Sequence, residues 1–538
     1  MVIHDNINTV LHFAEGSSRY TLCNNMSERR FLIFSLSVIF FFSPVTNAYK
    51  VLFVFPMPAR SHFNLGTTLA KQLVAAGHDI TMVAFFEEKS PPLGGTYTNV
   101  VLNDIVSIKE DFNFFDLQHV LPEVAIYSAY QSGHMLSKAV LEHKKIKKLL
   151  DSDQKFDAII IEQFCNDALK VLGWYFDAPV ILLSTVGANF WVNPLVGNPN
   201  PISYIPDLHL DFTENMTFLQ RFRNMLTTLS HIITQQVSYY PAQQEIVRQN
   251  FPGSPSLEEL IANVSLVLLN THESINQPVP LVPNMINVGG MHIMPGAELP
   301  KDLKVIMDNA KEGIVYFSLG SHIDPAKMKK EQTTAIFNAL GKLPHKVLLK
   351  WYKDVPEKAD NIVIRQWFPQ QGILAHPNVK LFITHGGLLS NLEAIHYGVP
   401  VLTLPIFGDQ RMNAAKANAG GFGVSVTFST MTEEVLSKAL NEILTNKKYT
   451  ETAKLRSSLM HDRIAKPMDT AIYWVEYVIR NKGAPHLRVA AVNMPFYKYF
   501  LLDVIAFILL SFITIITLVY ITCKKLGSSK KNKNTKTE

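Results

Sequence analysis

Cysteine is nearly absent: three in 538 residues, at Cys23, Cys165 and Cys523. One lies in or before the first long apolar run and one at the end of the last, so the body between them holds a single thiol. That excludes a disulfide framework, and the fold must rest on cores large enough to hold without staples. Cys165 follows an apolar strand and reads as a buried small side chain rather than a nucleophile. Charge is also scarce, at 18% of residues, and the net value of +5 is not spread along the chain. The tail carries Lys524, Lys525, Lys530, Lys531, Lys533 and Lys536 against Glu538, and the rest is balanced. The clustered basic face of a nucleic-acid binder is therefore missing. No spacing of His, Cys or paired acids matches a metal-ligand set. No Gly-x-Gly-x-x-Gly follows the first predicted strand, which removes the fingerprint of a nicotinamide dehydrogenase. No internal sequence repeat is visible.

What is present begins with two apolar segments. Met26-Ser27-Glu28-Arg29-Arg30 precedes the run Phe31 to Phe42, and Thr46-Asn47-Ala48 ends on a small residue. A basic start, a short apolar stretch and a small-residue exit read as a secretory signal peptide cleaved after Ala48, rather than an uncleaved anchor. Residues 1–25 read as an extension upstream of Met26. Val504 to Cys523 is twenty residues without a charge. At 1.5 Å per residue that is about 30 Å, the thickness of bilayer hydrocarbon. The lysines beyond it mark their side as cytoplasmic. A lumenal body, one span and a short cytosolic tail follow. Asn215-Met216-Thr217 and Asn263-Val264-Ser265 are glycosylation triplets on the side this topology requires.

The body is too long for one core. Tyr49 to Phe55 reads as a strand, Leu65 to Ala76 as a helix closed by Gly77, and Ile80 to Phe85 as a second strand. That is a βαβ unit, and it implies a parallel sheet. Phe156 to Ile161 and Pro179 to Leu183 are further buried strands. The theme restarts with Ile314 to Leu319, a helix over Pro325 to Leu340, and short strands Val347 to Lys350 and Ile362 to Ile364. Pro278 to Gly290, rich in Pro, Gly and Asn, reads as the linker between halves. The expected division is 1–48 extension and signal peptide, 49–285 first domain and 286–490 second domain with a return helix. A membrane-proximal stretch 491–503, the span 504–523 and a basic tail 524–538 complete it.

The most telling stretch lies in the second half. An apolar strand, Leu381 to Thr384, runs into His385-Gly386-Gly387, and a helix-like segment starts at once. Glycines between a strand and a helix bring free N–H groups and a positive helix end to one point, which suits a phosphate. Glu393, further along that helix, offers a carboxylate to ribose hydroxyls. Asp409-Gln410 follow a second apolar strand, Val399 to Leu404, and offer acceptors and a donor to a sugar.

With Ser390 and Asn391 inside it, this run resembles the nucleotide-sugar signature of the UDP-glycosyltransferases. Trp367-Phe368-Pro369-Gln370 matches the family's Trp-x-Pro-Gln element. The likeness extends to Glu476-Tyr477-Val478-Ile479-Arg480 and Gly483-Ala484, and spans nearly all of Tyr49 to Cys523. It implies an α/β fold of the GT-B kind: two Rossmann-like doubly wound domains facing across a cleft, plus one C-terminal transmembrane helix. The first domain would take the acceptor and the second the UDP-sugar. Trp367 would stack on uracil, Gln370 would bond its edge, and Ser321 and His385 would donate to the diphosphate.

Sugar transfer to a hydroxyl needs the acceptor proton removed, for which a histidine oriented by a carboxylate is suited. His62, in the loop after the first strand, matches the family's catalytic histidine by position. Many relatives carry aspartate where this chain has Glu162; Asp167 is the fallback partner. An acceptor pocket is expected around Phe112, Phe114, Phe115, Asn189, Phe190 and Trp191. The expectation is a metal-independent, inverting transfer of a hexose, with glucose favoured, to small lipophilic hydroxyl compounds. UDP-sugar is the co-substrate, with no other cofactor. The resemblance also implies the endoplasmic reticulum membrane and is compatible with homo- or hetero-oligomers. The competing reading is a protein that binds UDP-sugar or a lipophile without turnover.

Overall fold

Two runs of consecutive buried residues, Val51–Phe55 and Ala158–Glu162, lie side by side in the first of two parallel sheets. Strands covered on both faces need no polar alternation, which is why both read as near-continuous apolar runs, broken only by Glu162 at the end of the second. The computed structural model describes residues 48–105, 113–294, 296, 298–321, 323–352 and 358–534. The signal-peptide segment up to Asn47, Phe112 and Lys536 lie outside them.

The first sheet comprises β1 (Lys50–Phe55), β2 (Asp79–Ala84), β3 (Tyr97–Val101), β4 (Ala158–Glu162), β5 (Val180–Ser184), β6 (Val264–Leu269) and β7 (Met285–Asn287). Its order is β3-β2-β1-β4-β5-β6-β7, with every pairing parallel. The second comprises β8 (Ile314–Ser318), β9 (Lys346–Lys350), β10 (Ile362–Arg365), β11 (Val379–Thr384), β12 (Val401–Thr403) and β13 (Gly423–Ser425). Its order is β10-β9-β8-β11-β12-β13, again parallel throughout. Strand order reverses between β1 and β4 in one sheet and between β8 and β11 in the other. Ligands of such sheets bind at the carboxyl ends beside these reversals.

The helices that matter here are α1 (Arg60–Ala75), α2 (Pro122–Glu142), α3 (Phe218–Thr234), α4 (Leu388–His396), α5 (Gln410–Ala419), α6 (Pro467–Arg480) and α7 (Leu502–Asn534). α6 buries Ala471, Val475 and Val478 in the core of the first sheet, beside Phe53 and Leu69. The chain thus returns to its first half before reaching α7. Residues Leu502–Gly527 of α7 are apolar and long enough to cross a membrane.

Three local expectations change. α1 begins at Arg60, so His62 lies in a first helical turn rather than in the preceding loop. Pro58 is the last residue that resists helix, and Ala59 serves as an extended N-cap. The stretch expected as a linker contains β7, which pairs with β6 through Met285, Ile286 and Asn287. The helix expected from Pro325 is interrupted: a short 3₁₀ turn, Pro325–Lys327, precedes the α-helix Lys330–Gly341.

Candidate active site

α1, which follows β1, and β4 bring together the two residues expected to handle the proton. The His62 ring donates from, or shares its proton at, Nδ1 with Glu162 Oε1 in a short contact. Glu162 is fully buried at the carboxyl end of β4, and its other oxygen accepts the Met57 N–H at 3.4 Å. A buried carboxylate held this way fixes the imidazole orientation and leaves Nε2 to face a substrate. The fallback is corrected: Asp167 is turned away. Its carboxylate receives the Lys170 ammonium, the Tyr239 hydroxyl at 2.9 Å and the Gln163 amide at 3.4 Å.

Across from this pair stands the donor side. Gly386 has φ +85°, a left-handed turn that a side chain would strain, and Gly387 caps α4. The His385 ring is wedged between two loops: a Cβ on Gly320 would meet its Cε1 at 2.7 Å, and one on Gly387 its Nε2 at 2.6 Å. Glycine at both positions is what lets the ring sit beside the helix end. Asn413 ties this loop to the next, donating to the Gly386 carbonyl at 3.0 Å and to Asp409 Oδ2 at 2.8 Å. Burial raises the Asp409 carboxyl above its ordinary range, against the hydrogen bond from Asn413 and the charge of His62, which lower it.

The side chains expected to meet the base are already bonded to one another. Gln370 donates to Glu393 Oε2 at 2.7 Å and to Ser390 at 3.2 Å, and accepts the Tyr316 hydroxyl at 3.3 Å. Glu393 also accepts from Gln371 at 3.1 Å and lies 3.4 Å from His292. Asn391 is buried with its side-chain oxygen unpaired. Trp367 is 64% exposed, an unusual state for an indole. Lys350, at the end of β9, places its ammonium 4.3 Å from that ring and donates to the Gly320 carbonyl at 2.8 Å. Burial lowers this lysine to about 8. Ser321 is exposed on the same loop as Gly320.

Gln410 faces inward, and its Oε1 accepts the N–H groups of Ile406 and Phe407 at 2.9 and 3.1 Å. That oxygen braces the loop carrying Asp409. Phe115 does not line an acceptor pocket. It is buried in the core of the second sheet, stacked on Phe428 at 5.0 Å. Phe114 lies on Phe407, and Arg411 donates to the Gln118 carbonyl. The segment after β3 is thus a clamp onto the opposite half.

A cleft runs between the halves, bordered on one side by Asn189, Phe190 and Asp207 and on the other by Asp409, Asn413 and Lys416. Trp191 lies behind it, buried among Tyr130, Cys165 and Tyr239. Burial pushes the Cys165 thiol well up, as expected for a packed, unreactive sulfur. Lys416 is lowered to about 8 by burial, against the pull of Asp409.

Sequence spacing missed Lys350, Lys416 and one further group. Asp207, His209 and His231 converge with their ligand-type atoms within 4.8 Å of one another. The fold therefore assembles a metal-like set that spacing along the chain did not reveal. Hydrogen bonds already join it: His209 Nδ1 and His231 Nε2 each lie 2.8 Å from the Asp207 carboxylate. Burial favours protonation of Asp207, yet these two bonds hold it well below the usual carboxylate range.

Residues 96–537 match the family described as UDP-glucoronosyl and UDP-glucosyl transferase. A UDP-glycosyltransferase of Dactylopius coccus is 36% identical over 494 residues, covering 89% of this chain and 92% of that relative. A UDP-glucosyltransferase of the same insect is 33% identical, covering 93% and 99%. A human UDP-glucuronosyltransferase is 33% identical, covering 88% and 90%. Among solved structures, the calicheamicin glycosyltransferase CalG4 superposes with a TM-score of 0.57 at 17% identity, covering 81% of this chain and 99% of that one. At that identity the likeness shows the GT-B fold.

Proposed function

The chain belongs to the UDP-glucoronosyl and UDP-glucosyl transferase family, and we propose that it moves glucose from UDP-glucose to a hydroxyl of small lipophilic acceptors. As a UDP-glycosyltransferase it is an enzyme that uses a UDP-sugar donor. The observation that carries the finer reading is the contact between His62 and the buried Glu162, opposite Asp409.

In this mechanism Glu162 holds the imidazole so that Nε2 takes the acceptor proton as oxygen attacks the anomeric carbon. The carboxylate then steadies the imidazolium that forms. One displacement from an α-linked donor gives a β-linked product. Trp367 carries the uracil on its open face, and Glu393 and Gln370 meet ribose and base by exchanging bonds they now make with each other. His385, Ser321, the N–H groups at the start of α4 and Lys350 receive the charge of the leaving diphosphate. That supply of positive charge from the chain supports a metal-independent reaction. Asp409 would accept hydroxyls of the sugar; an acid there favours glucose over a sugar that bears its own carboxylate.

The acceptor would enter the cleft past Phe190. The body would lie on the lumenal side of the endoplasmic reticulum membrane, anchored by Leu502–Gly527, with glycan on the exposed Asn215 and Asn263. The test is product formation by membranes holding the full chain, with UDP-glucose and UDP-glucuronate compared on 1-naphthol. UDP-glucose as the better donor supports the reading; preference for UDP-glucuronate overturns the choice of sugar. Donor binding without product, unchanged in His62→Ala, would point to the non-catalytic alternative.

A further inference from the structure

Helix α3 is built inside out. Its buried face is polar: Asn224, Thr227 and His231, continued by Gln235 one turn on. Its exposed face is apolar, with Phe218, Phe222, Leu226, Leu229 and Ile233, followed by Val237. Both sets repeat at three or four residues, so they mark opposite sides of one helix.

The hydrogen bonds fix this orientation. Asn224 donates to the carbonyls of Ile202 and Ile205 at 2.8 and 2.9 Å and accepts the Asp207 N–H at 2.8 Å. His231 bonds to Asp207 and, through Nδ1, to the Tyr130 hydroxyl at 3.1 Å. Turning the apolar face inward would orphan all of these groups. α2 and its N-cap add Leu121, Val124 and Tyr127 to the exposed surface, and the ion pair Arg223–Glu123 at 2.7 Å joins the two helices. Apolar surface of this extent on a folded body marks a site that something non-aqueous covers.

The chain brings such a phase with it. Gly197 lies against the membrane-proximal segment: a Cβ there would come within 2.8 Å of the Val492 N and 3.1 Å of Ala491. That segment leads through exposed Phe496, Tyr497 and Phe500 to the span at Leu502, an aromatic approach typical of the membrane interface. Seven residues before Gly197, Phe190 stacks on His231 of α3 at 4.7 Å. A short path of packed residues thus connects the foot of the span to the polar side of α3.

We propose that the apolar face of α3, with the start of α2, rests in the surface of the same bilayer that α7 crosses. Such a helix lies in the interface plane with its apolar side among the acyl chains. The cleft that Phe190 and Asp207 border would then open close to the lipid, where lipophilic compounds concentrate. The proposal rests on the reading of Leu502–Gly527 as a span.

The test uses the full chain in phosphatidylcholine vesicles, with Cys23→Ser and Cys523→Ser as background. An environment-sensitive fluorophore is attached at Leu229→Cys, at Phe222→Cys on the same face, at Ile513→Cys within the span, and at Lys311→Cys, exposed on the second half. Doxyl-labelled lipid and aqueous iodide serve as quenchers. The expected result is emission at shorter wavelength from the α3 sites than from position 311, with quenching by doxyl lipid and protection from iodide. If both α3 sites behave like position 311 while position 513 is quenched by lipid, the span stands and the proposal falls. Loss of lipid quenching at position 513 would overturn the anchor and the proposal together. A blue shift at α3 that vanishes on dilution into excess lipid would mark a second copy as the cover, and would also overturn it.

Discussion

His62 and Glu162 are joined by a short hydrogen bond although one hundred residues separate them, because β1 and β4 are neighbours at the point where the first sheet reverses its order. The account makes this pair the proton-handling unit. His62→Ala should lower kcat by roughly 10²–10⁴-fold, the range for losing a general base. Glu162→Gln, which keeps the shape but loses the charge, should fall between that variant and wild type. UDP-sugar affinity, measured by calorimetry, should stay unchanged in both. An equal loss of donor affinity would contradict the division of labour between the two halves.

Lys350 gives the pH dependence. Its ammonium lies over Trp367 and beside Gly320, and burial lowers it to about 8. A diphosphate prefers the charged form, so KM for the donor should rise as pH climbs through about 8. Lys416 titrates in the same range, so the diagnostic comparison is with Lys350→Arg, which stays charged and should flatten that part of the profile. Stability runs the other way. The unfolded chain holds this proton more tightly than the folded one, so the lysine's contribution rises from about pH 8 toward its ordinary value of 10.5. Chemical denaturation at pH 8 and pH 10 reads that slope, which should shrink in Lys350→Met.

Trp367 is open to solvent, and its removal should leave the fold nearly untouched, within about 0.5 kcal/mol. Stacking of a base on an aromatic ring is worth about 1–3 kcal/mol. Trp367→Ala should therefore raise KM for UDP-sugar roughly 5- to 150-fold, with the melting temperature preserved. A large fall in melting temperature would make the indole a packing residue instead.

Gly387→Ala tests the seat of His385. The backbone there suits any residue, at φ −61°, but a methyl would lie 2.6 Å from the ring nitrogen. Displacing the ring should weaken UDP binding while circular dichroism stays native. Unaltered affinity for UDP would remove His385 from the diphosphate site.

The donor loop was legible in sequence because its signals are local. A buried strand, two glycines and a helix start must lie where they are written, and β11, Gly386, Gly387 and α4 do. His62 drew notice through its place after β1 and its match to the family's catalytic histidine, and the structure sets it against Glu162, although α1 begins earlier than its apolar periodicity shows. Phe115 was not legible. An aromatic pattern announces burial but not which core receives it, and here the ring crosses to Phe428 of the other half. Lys350 carried a usable signal, a buried lysine following the apolar run Val347–Leu349 at the ligand end of a strand. Asp207 and His231 carried none, since only the folding of α3 onto the preceding loop brings them together.

Phe115 also makes the clamp between the halves testable. Replacing a buried phenylalanine with alanine costs about 3–5 kcal/mol, and this one anchors the segment that holds Phe114 on Phe407, two residues from Asp409. Phe115→Ala should lower the melting temperature and also raise KM for the donor. Phe115→Leu, which keeps most of the buried volume, should recover most of both. A loss of stability with donor KM unchanged would reduce the clamp to packing alone.

The most direct test of the central claim is the anomeric configuration of the product made from UDP-glucose and 1-naphthol, read by NMR for the full chain in membranes and set beside His62→Ala. The account predicts a β-glucoside from the wild-type chain and almost none from the variant, with UDP-glucose bound equally by both. An α-linked product, or turnover that survives the loss of His62, would contradict it.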